Sequence, residues 1–357
     1  MTGRRLRVGV VGLGKIAQLH HLPNLDASPD FELAAVCDRS AVLTATIAAR
    51  YHLPASATTT DHHELVHRDL DAIVVANRHH APVVLAALAA GRHVFVEKPL
   101  CWGLDEAERI REAVRSSGRT LVVGYMKRYD PAAEQLLGAM PPAIRYGRVH
   151  NFAGGRHRVE RLHPVAKPTD LGPRDAEAED VEINTVAARH LGTDDPARIA
   201  AFRAVSELAS HDVNLVRTAL GGLEVEWARV SGPDTARDYL ALFRAGDAPV
   251  WLEMCPEFGT ARDWDEEIAF FGAHGGVGLR FDSPFRREAA TTRWHDGIDG
   301  TDLVRRASIA SFVSPFRREL EHFHHCVVTG ESPRTGVDDS VADLLLLRDL
   351  ATRMELS

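Results

Sequence analysis

A short apolar run followed at once by spaced glycines most restricts what this chain can fold into. Val8–Val11 is typical of a buried strand, and the segment Gly12-Leu13-Gly14-Lys15-Ile16-Ala17 follows it directly. Gly12 permits a tight turn, Gly14 lets backbone N–H groups approach an anion, and the small Ala17 lets a helix pack closely on the strand. The pattern predicts a strand–turn–helix unit whose helix N-terminus can bind the pyrophosphate of a dinucleotide.

The same rhythm continues through residues 6–125, where short apolar runs alternate with helical patterns. Buried strands separated by helices indicate a parallel sheet with right-handed crossovers. We therefore predict an α/β chain whose first domain, residues 1–125, is a doubly wound Rossmann sheet that binds NAD(P). The predicted strands are Leu6–Val11, Phe31–Cys37, Ala72–Ala76, His93–Val96 and Thr120–Tyr125, and the predicted helices are Ser40–Tyr51, Pro82–Ala90 and Leu104–Ser117.

After Tyr125 the pattern changes, which predicts a second domain over residues 126–357. Consecutive strand patterns with turn signals occupy about 225–293 and indicate an antiparallel sheet. The domain is therefore predicted as α+β, with a large open, mostly antiparallel sheet. Its predicted helices lie near 131–137, 207–220, 314–329 and 337–352. The stretch 157–200, rich in Pro, Asp, Glu and Arg, is interpreted as either a surface excursion or a lid.

An acid ends the second predicted strand and bears on the choice of cofactor. Asp38 lies where a carboxylate accepts hydrogen bonds from the adenosine ribose hydroxyls, which favours NAD and repels the 2′-phosphate of NADP. Arg39, the next residue, can stack on adenine or pair with that phosphate. NAD is therefore predicted, and NADP stays open.

Composition and cysteine usage exclude several other classes of protein. The formal net charge of −8 gives no electrostatic case for a nucleic-acid or anionic-membrane partner, and no apolar run reaches the length of a membrane span. The four cysteines have no close pairing, so we expect neither a disulfide framework nor a zinc site, and a reducing cytoplasm fits. The paired histidines are adjacent rather than spaced by four residues, so no metal is predicted.

Three segments together resemble a known family. Ala90–Leu100, which contains Glu97-Lys98-Pro99, is similar almost letter for letter to the strand-end motif of the glucose–fructose oxidoreductase and inositol dehydrogenase (Gfo/Idh/MocA) family. Gly124–Pro131 resembles its interdomain segment, and Thr329–Ser340 resembles its C-terminal signature. His80 stands where the family usually has a histidine. The likeness covers nearly the whole chain and implies hydride transfer between a nicotinamide and a secondary alcohol or ketone of a sugar, cyclitol or sugar-like metabolite.

The resemblance also implies roles for particular residues. Lys98 would be the general acid/base, and the peptide before Pro99 is often cis in such enzymes. The matching helix begins at Glu207, and His211 lies four residues on, so both would project from one face. His211 would relay the proton, and Glu207 would orient His211. The family generally has Asp at position 207 and commonly at 214, where this chain has Asn214.

These considerations give one set of predicted site residues and partners. Substrate contacts are predicted from Lys98, Tyr125, Lys127, Arg128, Glu207 and His211, and cofactor contacts from Gly12, Gly14, Lys15, Ile16, Ala17, Asp38, Arg39, Asn77, His80, Glu97 and Lys98. The resemblance implies a homodimer or homotetramer. Two alternatives stay open: a lyase or hydrolase that recycles tightly bound NAD, and a non-catalytic dinucleotide sensor.

Overall fold

The computed structural model describes residues 4–154, 163–232, 237–256, 263–287 and 289–356. The chain forms two compact units. Unit 1 comprises Met1–Tyr125, His163–Gly192 and Phe316–Leu344, and unit 2 comprises Met126–Leu162, Thr193–Pro315 and Leu345–Ser357. The first cut follows Tyr125, where the sequence predicts a domain boundary. The predicted second domain, 126–357, is not one compact unit, because two of its segments pack with the first.

Unit 1 is built on a six-stranded parallel sheet with the order β3–β2–β1–β4–β5–β6, which confirms the predicted Rossmann architecture. Its central strands are apolar runs because helices cover both faces, and Val8, Val10 and Val74 are fully buried. The strands are β1 Leu6–Val11, β2 Phe31–Cys37, β3 Thr58–Thr59, β4 Ala72–Val75, β5 His93–Glu97 and β6 Leu121–Gly124.

The helices between these strands begin and end at the residues that local chemistry favours. Ser40 caps the N-terminus of α2 by accepting from Leu43, and α5 ends at Gly118, whose φ of 64° suits glycine. A five-residue π-helical turn, Ala17–His21, precedes α1. The helices are α1 Leu22–Ala27, α2 Ala41–Arg50, α3 His62–Val66, α4 His80–Ala89 and α5 Leu104–Ser117, with a 3₁₀ turn at Ala55–Ala57.

Unit 2 contains a nine-stranded sheet with the order β14–β13–β12–β11–β7–β10–β9–β8–β15. The β7–β10 and β8–β15 pairs are parallel and the other neighbours are antiparallel, which confirms a mostly antiparallel sheet. The strands are β7 Ile144–Phe152, β8 Glu224–Ser231, β9 Asp238–Ala245, β10 Ala248–Cys255, β11 Asp265–Gly272, β12 Gly275–Phe281, β13 Thr292–Asp299, β14 Asp302–Ile309 and β15 Met354–Leu356.

One of the remaining helices differs in its bounds from the prediction. Instead of one helix over 207–220, α8 ends at Leu208 and α9 begins at Ser210, and Ala209 between them keeps helical backbone angles, φ −82° and ψ −14°. The helices are α6 Pro131–Leu137, α7 Pro173–Leu191, α8 Pro196–Leu208, α9 Ser210–Leu220, α10 Pro315–Thr329 and α11 Val337–Arg353, with a 3₁₀ turn at Met126–Tyr129. Among the described residues, none of these helices is long and apolar enough to cross a membrane.

The stretch that the sequence left unassigned, 157–200, contains α7 and part of α8; residues 155–162 lie outside the described residues. Residues 163–192, which we call the acidic segment, belong to unit 1. Gln18 anchors this segment to the glycine turn, since its side chain donates to the Ala166 carbonyl at 2.9 Å and accepts from the Ala166 N–H at 2.9 Å. The acidic segment is therefore a covering element of the nucleotide-binding unit.

Candidate functional site

The turn after β1 has the shape that a pyrophosphate requires. Gly12 has φ of 88°, and a Cβ built there would lie 2.3 Å from the backbone nitrogen of Asn77, so only glycine fits. A Cβ on Gly14 would meet nothing within 4 Å, which leaves the backbone at this exposed position open to a ligand. Ala17 is buried, as close packing of the helix on the strand demands. The cradle therefore fits a dinucleotide.

Asp38 stands at the carboxyl end of β2 and is fixed against this turn. Its Oδ2 accepts from the N–H of Leu13 at 2.8 Å, and its Oδ1 accepts from the N–H of Ser40 at 3.0 Å. The side chain of Arg39 points to the acidic segment, donating to the Asp175 carbonyl and to the Glu179 carboxylate, both at 3.0 Å. Asp38 thus lies directly after β2, while the neighbouring Arg39 is engaged within the protein.

The residues after β4 and β5 support one another. Asn77 donates to the carbonyl of His79 at 2.7 Å, and His80 begins α4 with its Nδ1 2.6 Å from the carbonyl of Pro99. Burial lowers the pKa of His80, which favours a neutral ring whose Nδ1–H donates to that carbonyl. The Lys98–Pro99 peptide is cis, as the resemblance implies. Lys98 itself is half-buried, directly after the last residue of β5.

Glu97, the residue before Lys98, lies in a buried cluster of three titratable side chains. The imidazole Nε2 of His21 is 2.6 Å from Glu97 Oε1, and both side chains are buried. Burial alone would raise the pKa of Glu97. The hydrogen bond from His21 and the positive charges around Glu97 outweigh burial, so the pKa of Glu97 is lowered. Glu97 therefore carries a negative charge inside unit 1.

Glu319 completes this cluster from α10. It is fully buried, and its two carboxylate oxygens have no hydrogen-bond partner among the described residues. Burial, and then the charge of Glu97, raise the pKa of Glu319 well above 4.5. Two buried carboxylates this close do not both ionise without a compensating cation, so the negative charge belongs to Glu97.

The ligand atoms of His21, Glu97 and Glu319 all lie within 4.8 Å of one another, so these groups could hold a metal ion. The His21–Glu97 separation of 2.6 Å is a hydrogen-bond distance. Two ligands of one tetrahedral zinc, bonded at roughly 2.0–2.1 Å, lie about 3.3 Å apart. Bound histidines also usually donate their second ring nitrogen, whereas His21 Nδ1 has no partner in the described part of the chain. The geometry fits a proton better than a metal.

In unit 2, the two predicted members of the helix pair lie on either side of Ala209, whose backbone angles are helical. Glu207 lies in the last turn of α8 and is exposed, whereas His211 lies in the first turn of α9 and is half-buried. The helical hydrogen bonds continue through Ala209, since its N–H donates to Val205 at 2.9 Å and its carbonyl accepts from the N–H of Val213 at 2.8 Å. His211 remains on the helix that the resemblance implies, beside the buried Asn214.

Lys127 lies in a buried ion cluster instead of on an open surface. It is 3% exposed, forms ion pairs with Asp212 and Glu266, and lies 4.5 Å from the centre of the Phe281 ring. Burial alone would lower the pKa of Lys127, but the two carboxylates outweigh it and raise that pKa. Asn151 donates to Asp212 at 2.8 Å and to Glu266 at 3.1 Å. Lys127 is thus engaged with two carboxylates, and its contact with a substrate stays a prediction.

Glu266, the acid of this cluster on β11, faces a cavity of about 480 Å³ within unit 2. Burial raises its pKa to about 8 despite the nearby Lys127. The indole N–H of Trp264 donates to its second oxygen at 2.8 Å, and Trp264 and Phe281 supply aromatic walls. A cavity with aromatic walls and carboxylate acceptors has the chemistry of a polyhydroxylated ligand site.

Two other predicted substrate residues are also committed to internal contacts. Arg128 donates to the side-chain oxygens of Asn214 at 3.0 Å and Thr218 at 2.7 Å, which joins the 3₁₀ turn to α9. Tyr125 is 2% exposed in unit 1, where burial raises its pKa well above 10 and Ser340 shares a hydrogen bond with its hydroxyl. Both residues therefore have internal partners, and their contact with a substrate stays a prediction.

The sequence does not single out several of these groups. His21 enters the prediction only as one of the adjacent histidines, and Glu319 and Glu266 carry no prediction. A local signal existed for Glu266, because it falls on the buried side of an alternating strand, with Ile268 and Phe270. An acid at such a position must have a buried partner.

Comparison with known proteins agrees with this architecture. Residues 6–125 match the model of the GFO_IDH_MocA oxidoreductase family with an NAD-binding Rossmann fold. An inositol 2-dehydrogenase from Salmonella paratyphi B is 31% identical over 156 residues, which are 41% of this chain and 46% of that protein. The match thus spans less than half the length of that relative.

Two longer matches extend over most of the chain. An inositol 2-dehydrogenase from Acidothermus cellulolyticus is 29% identical over 302 residues, covering 80% of this chain and 76% of that protein. A 3-ketoreductase from Actinomadura kijaniata, solved with NADP and TDP-benzene, superposes with a TM-score of 0.70 over 99% of each chain at 21% identity. The second likeness shows that the fold is shared along the whole chain.

Proposed function

We propose that this chain is an NAD(P)-dependent dehydrogenase or reductase. The premise is that, through residues 6–125, it belongs to the Gfo/Idh/MocA oxidoreductases. Its substrate would be a secondary alcohol, or the matching ketone, of a sugar, cyclitol or sugar-like metabolite. The names of its relatives, inositol dehydrogenases and a ketoreductase, support that class of substrate.

The observation that carries the proposal is the position of Lys98 in the parallel sheet. Gly12, Asp38 and Lys98 each follow the last residue of a strand, β1, β2 and β5 respectively. The carboxyl ends of parallel strands meet at one edge of the sheet, which is where open α/β sheets bind their ligands. An amine at the same edge as a pyrophosphate cradle and a ribose acid is suited to proton transfer beside a bound dinucleotide.

Each residue of the proposed site would have its own role in binding or proton transfer. Backbone N–H groups near Gly14 would hold the pyrophosphate, and Asp38 would accept from the ribose hydroxyls. When bound, the nicotinamide supplies the site that accepts or returns a hydride. Lys98 would take the proton of the substrate hydroxyl and return it in the reverse direction. His211 would hold or relay that proton, with Glu207 as a positioning residue for His211.

The direct test is turnover by the purified protein. We expect NAD(P)H to form with at least one sugar or inositol of a panel, or to be consumed with the matching keto form, and the near-ultraviolet absorbance of NAD(P)H follows either change. A cofactor that co-purifies and is not consumed, while the substrate is cleaved, would instead identify an enzyme that recycles bound NAD. Cofactor binding without any turnover would indicate a sensor.

We also propose that the enzyme is a cytoplasmic homodimer or homotetramer. Large apolar side chains on the hairpin β13–β14 are exposed, Ile298 by 74% and Leu303 by 87%, which supports a covering partner copy. All four cysteines are unpaired, which suits a reducing compartment. Light scattering on the purified protein measures the number of subunits, and a monomer would contradict the proposed oligomer.

A further inference from the structure

The acidic segment has no role in the function proposed so far, although it covers part of the nucleotide-binding unit. Its acids outnumber its bases, so it brings negative charge to unit 1. The acids are Asp170, Asp175, Glu177, Glu179, Asp180 and Glu182, and the bases are Lys167, Arg174 and Arg189. Several of these acids contact the residues that directly follow β2 and β4.

Asp170 contacts the start of α2, two residues beyond the predicted ribose acid. Its Oδ1 accepts a short hydrogen bond from the Ser40 hydroxyl, and its Oδ2 accepts from the backbone N–H of Val42 at 3.2 Å. The Ser40 hydrogen bond lowers the pKa of Asp170, so this carboxylate is charged at neutral pH. A helix N-terminus with a hydroxyl beside it is a ready anion site, and the chain's own carboxylate occupies it.

Glu179 forms an ion pair with Arg39, the residue next to Asp38. Arg39 donates to Glu179 at 3.0 Å and to the Asp175 carbonyl at 3.0 Å, and Arg78 pairs with Asp180 at 2.7 Å. An arginine just beyond the second strand is the group that usually accommodates the 2′-phosphate of NADP. Here that guanidinium is directed to an acid of the same unit.

Together these contacts use the donors that a 2′-phosphate would need. The Arg39 guanidinium, the Ser40 hydroxyl and the N–H of Val42 all bond to the acidic segment. The two ribose hydroxyls of NAD need only Asp38, which the acidic segment leaves to bond with Leu13 and Ser40. NAD and NADP differ by the 2′-phosphate, and the donors that this group would need are already bonded to the acidic segment.

We propose that Asp170 and Glu179 determine cofactor preference by filling the 2′-phosphate subsite with carboxylates, so that the protein selects NAD and excludes NADP. The proposal rests on the cofactor site proposed above and adds two residues outside every predicted contact. NADP would have to displace Asp170 from the start of α2 and Glu179 from Arg39, or bind beside both charges. NAD meets neither obstacle.

The test is calorimetric titration of NAD⁺ and NADP⁺ into the wild type, Asp170→Asn, Glu179→Gln and the double variant. Each substitution keeps the shape of the side chain and removes one charge. We expect wild type to bind NAD⁺ more tightly. Each variant should gain about fivefold in NADP⁺ affinity, the factor that one unit charge at contact distance produces in water. NAD⁺ affinity should stay within about twofold, and the gains should add in the double variant.

Two further variants separate specificity from simple docking of the segment. Asp105→Asn removes the ion pair of Asp105 with Arg189, near the end of α7, at 2.7 Å, and should leave the ratio of the two affinities unchanged. Asp170→Glu keeps the charge and should retain the wild-type ratio. Thermal unfolding of each variant checks that the fold is intact.

Three results would overturn the proposal: a wild type that binds NADP⁺ as tightly as NAD⁺, an unchanged ratio in the double variant, or equal loss of both cofactors in the variants. The last would make these acids purely structural. A wild type that binds neither dinucleotide would instead refute the proposed function, so the two failures are distinguishable.

Discussion

The two units each bury a pair of carboxylates, and they compensate the charge in different ways. In unit 2, Lys127 lies between Asp212 and Glu266, so a cation compensates one of the two negative charges. In unit 1, His21 forms a hydrogen bond with Glu97, and Glu319 has no hydrogen-bond partner among the described residues. The second pair must therefore hold a proton.

From this difference we expect different roles for the two lysines suggested by the sequence. Lys127 forms ion pairs with two carboxylates, which favours a contribution to the stability of unit 2. In unit 1 the neutral Glu319 leaves the charge on Glu97, and the neighbouring Lys98 stays half-buried at the ligand edge of the sheet. Burial between two acids gives a structural lysine, whereas partial exposure at a strand end suits a catalytic one.

The largest expected effect comes from Lys98→Met. Removing one positioned proton-transfer group typically costs roughly 10²–10⁴ in rate, so kcat should fall by that factor. Cofactor affinity should stay within severalfold, and the melting temperature should not change, because the side chain is half-buried. Turnover kinetics, cofactor titration and thermal unfolding measure the three quantities. Normal turnover would return Lys98 to a structural role.

Lys127→Met should lower the stability instead of kcat, which makes it a matched control for Lys98→Met. Losing the cation leaves two buried carboxylates, and breaking such a buried pair typically costs about 3–5 kcal/mol of unfolding free energy. Urea denaturation measures the loss. Adding Glu266→Gln to this variant should recover much of the stability, because one of the carboxylates is then neutral. An unchanged midpoint in Lys127→Met would show that the ion cluster adds no net stability.

Glu319→Gln tests whether a proton balances the cluster of unit 1. The folded-state pKa of Glu319 lies above its ordinary 4.5, so between those two values the unfolded chain has lost a proton that the folded chain keeps. This contribution to wild-type stability is present below pH 4.5 and declines as the pH rises towards the folded-state pKa. Glutamine removes the decline. The variant should therefore gain relative to wild type by up to about 1.4 kcal/mol per pH unit.

The measurement is urea unfolding of both proteins from pH 5 to pH 8, with infrared detection of a protonated carboxyl in wild type that is missing in the variant. Parallel pH profiles would contradict a protonated Glu319. A stoichiometric divalent ion in the purified protein, with destabilisation by chelator, would identify the cluster as a metal site.

The smallest expected effect concerns Glu207. Its side chain is exposed, and exposed ion pairs contribute about 0.2–1 kcal/mol, so Glu207→Gln should lower kcat about fivefold or less. It should also shift the pH profile if its charge supports a protonated His211. Glu207→Asp should retain more activity than Gln if charge matters most. If Glu207→Ala equals wild type while His211→Ala is inactive, the two do not form a functional pair.

Local sequence patterns predict the parallel sheet of unit 1 almost completely. β1 and β2 have the predicted bounds, and the other predicted strands of that sheet differ by at most a residue at an end. The glycine turn, Asp38 and Lys98 follow the strands that the sequence assigns to them. Such features are local, because apolar periodicity, turn glycines and caps act within a few residues along the chain.

The pairing of acids with bases depends on the tertiary structure. His21 and Glu97 are 76 positions apart, and Lys127 and Glu266 are 139 apart. Folding also places residues 163–192 beside β2 and gives Arg128 its partners Asn214 and Thr218. The sequence pattern reports whether a side chain is buried or exposed. Its partner, and therefore its charge, depends on elements that only folding brings into contact.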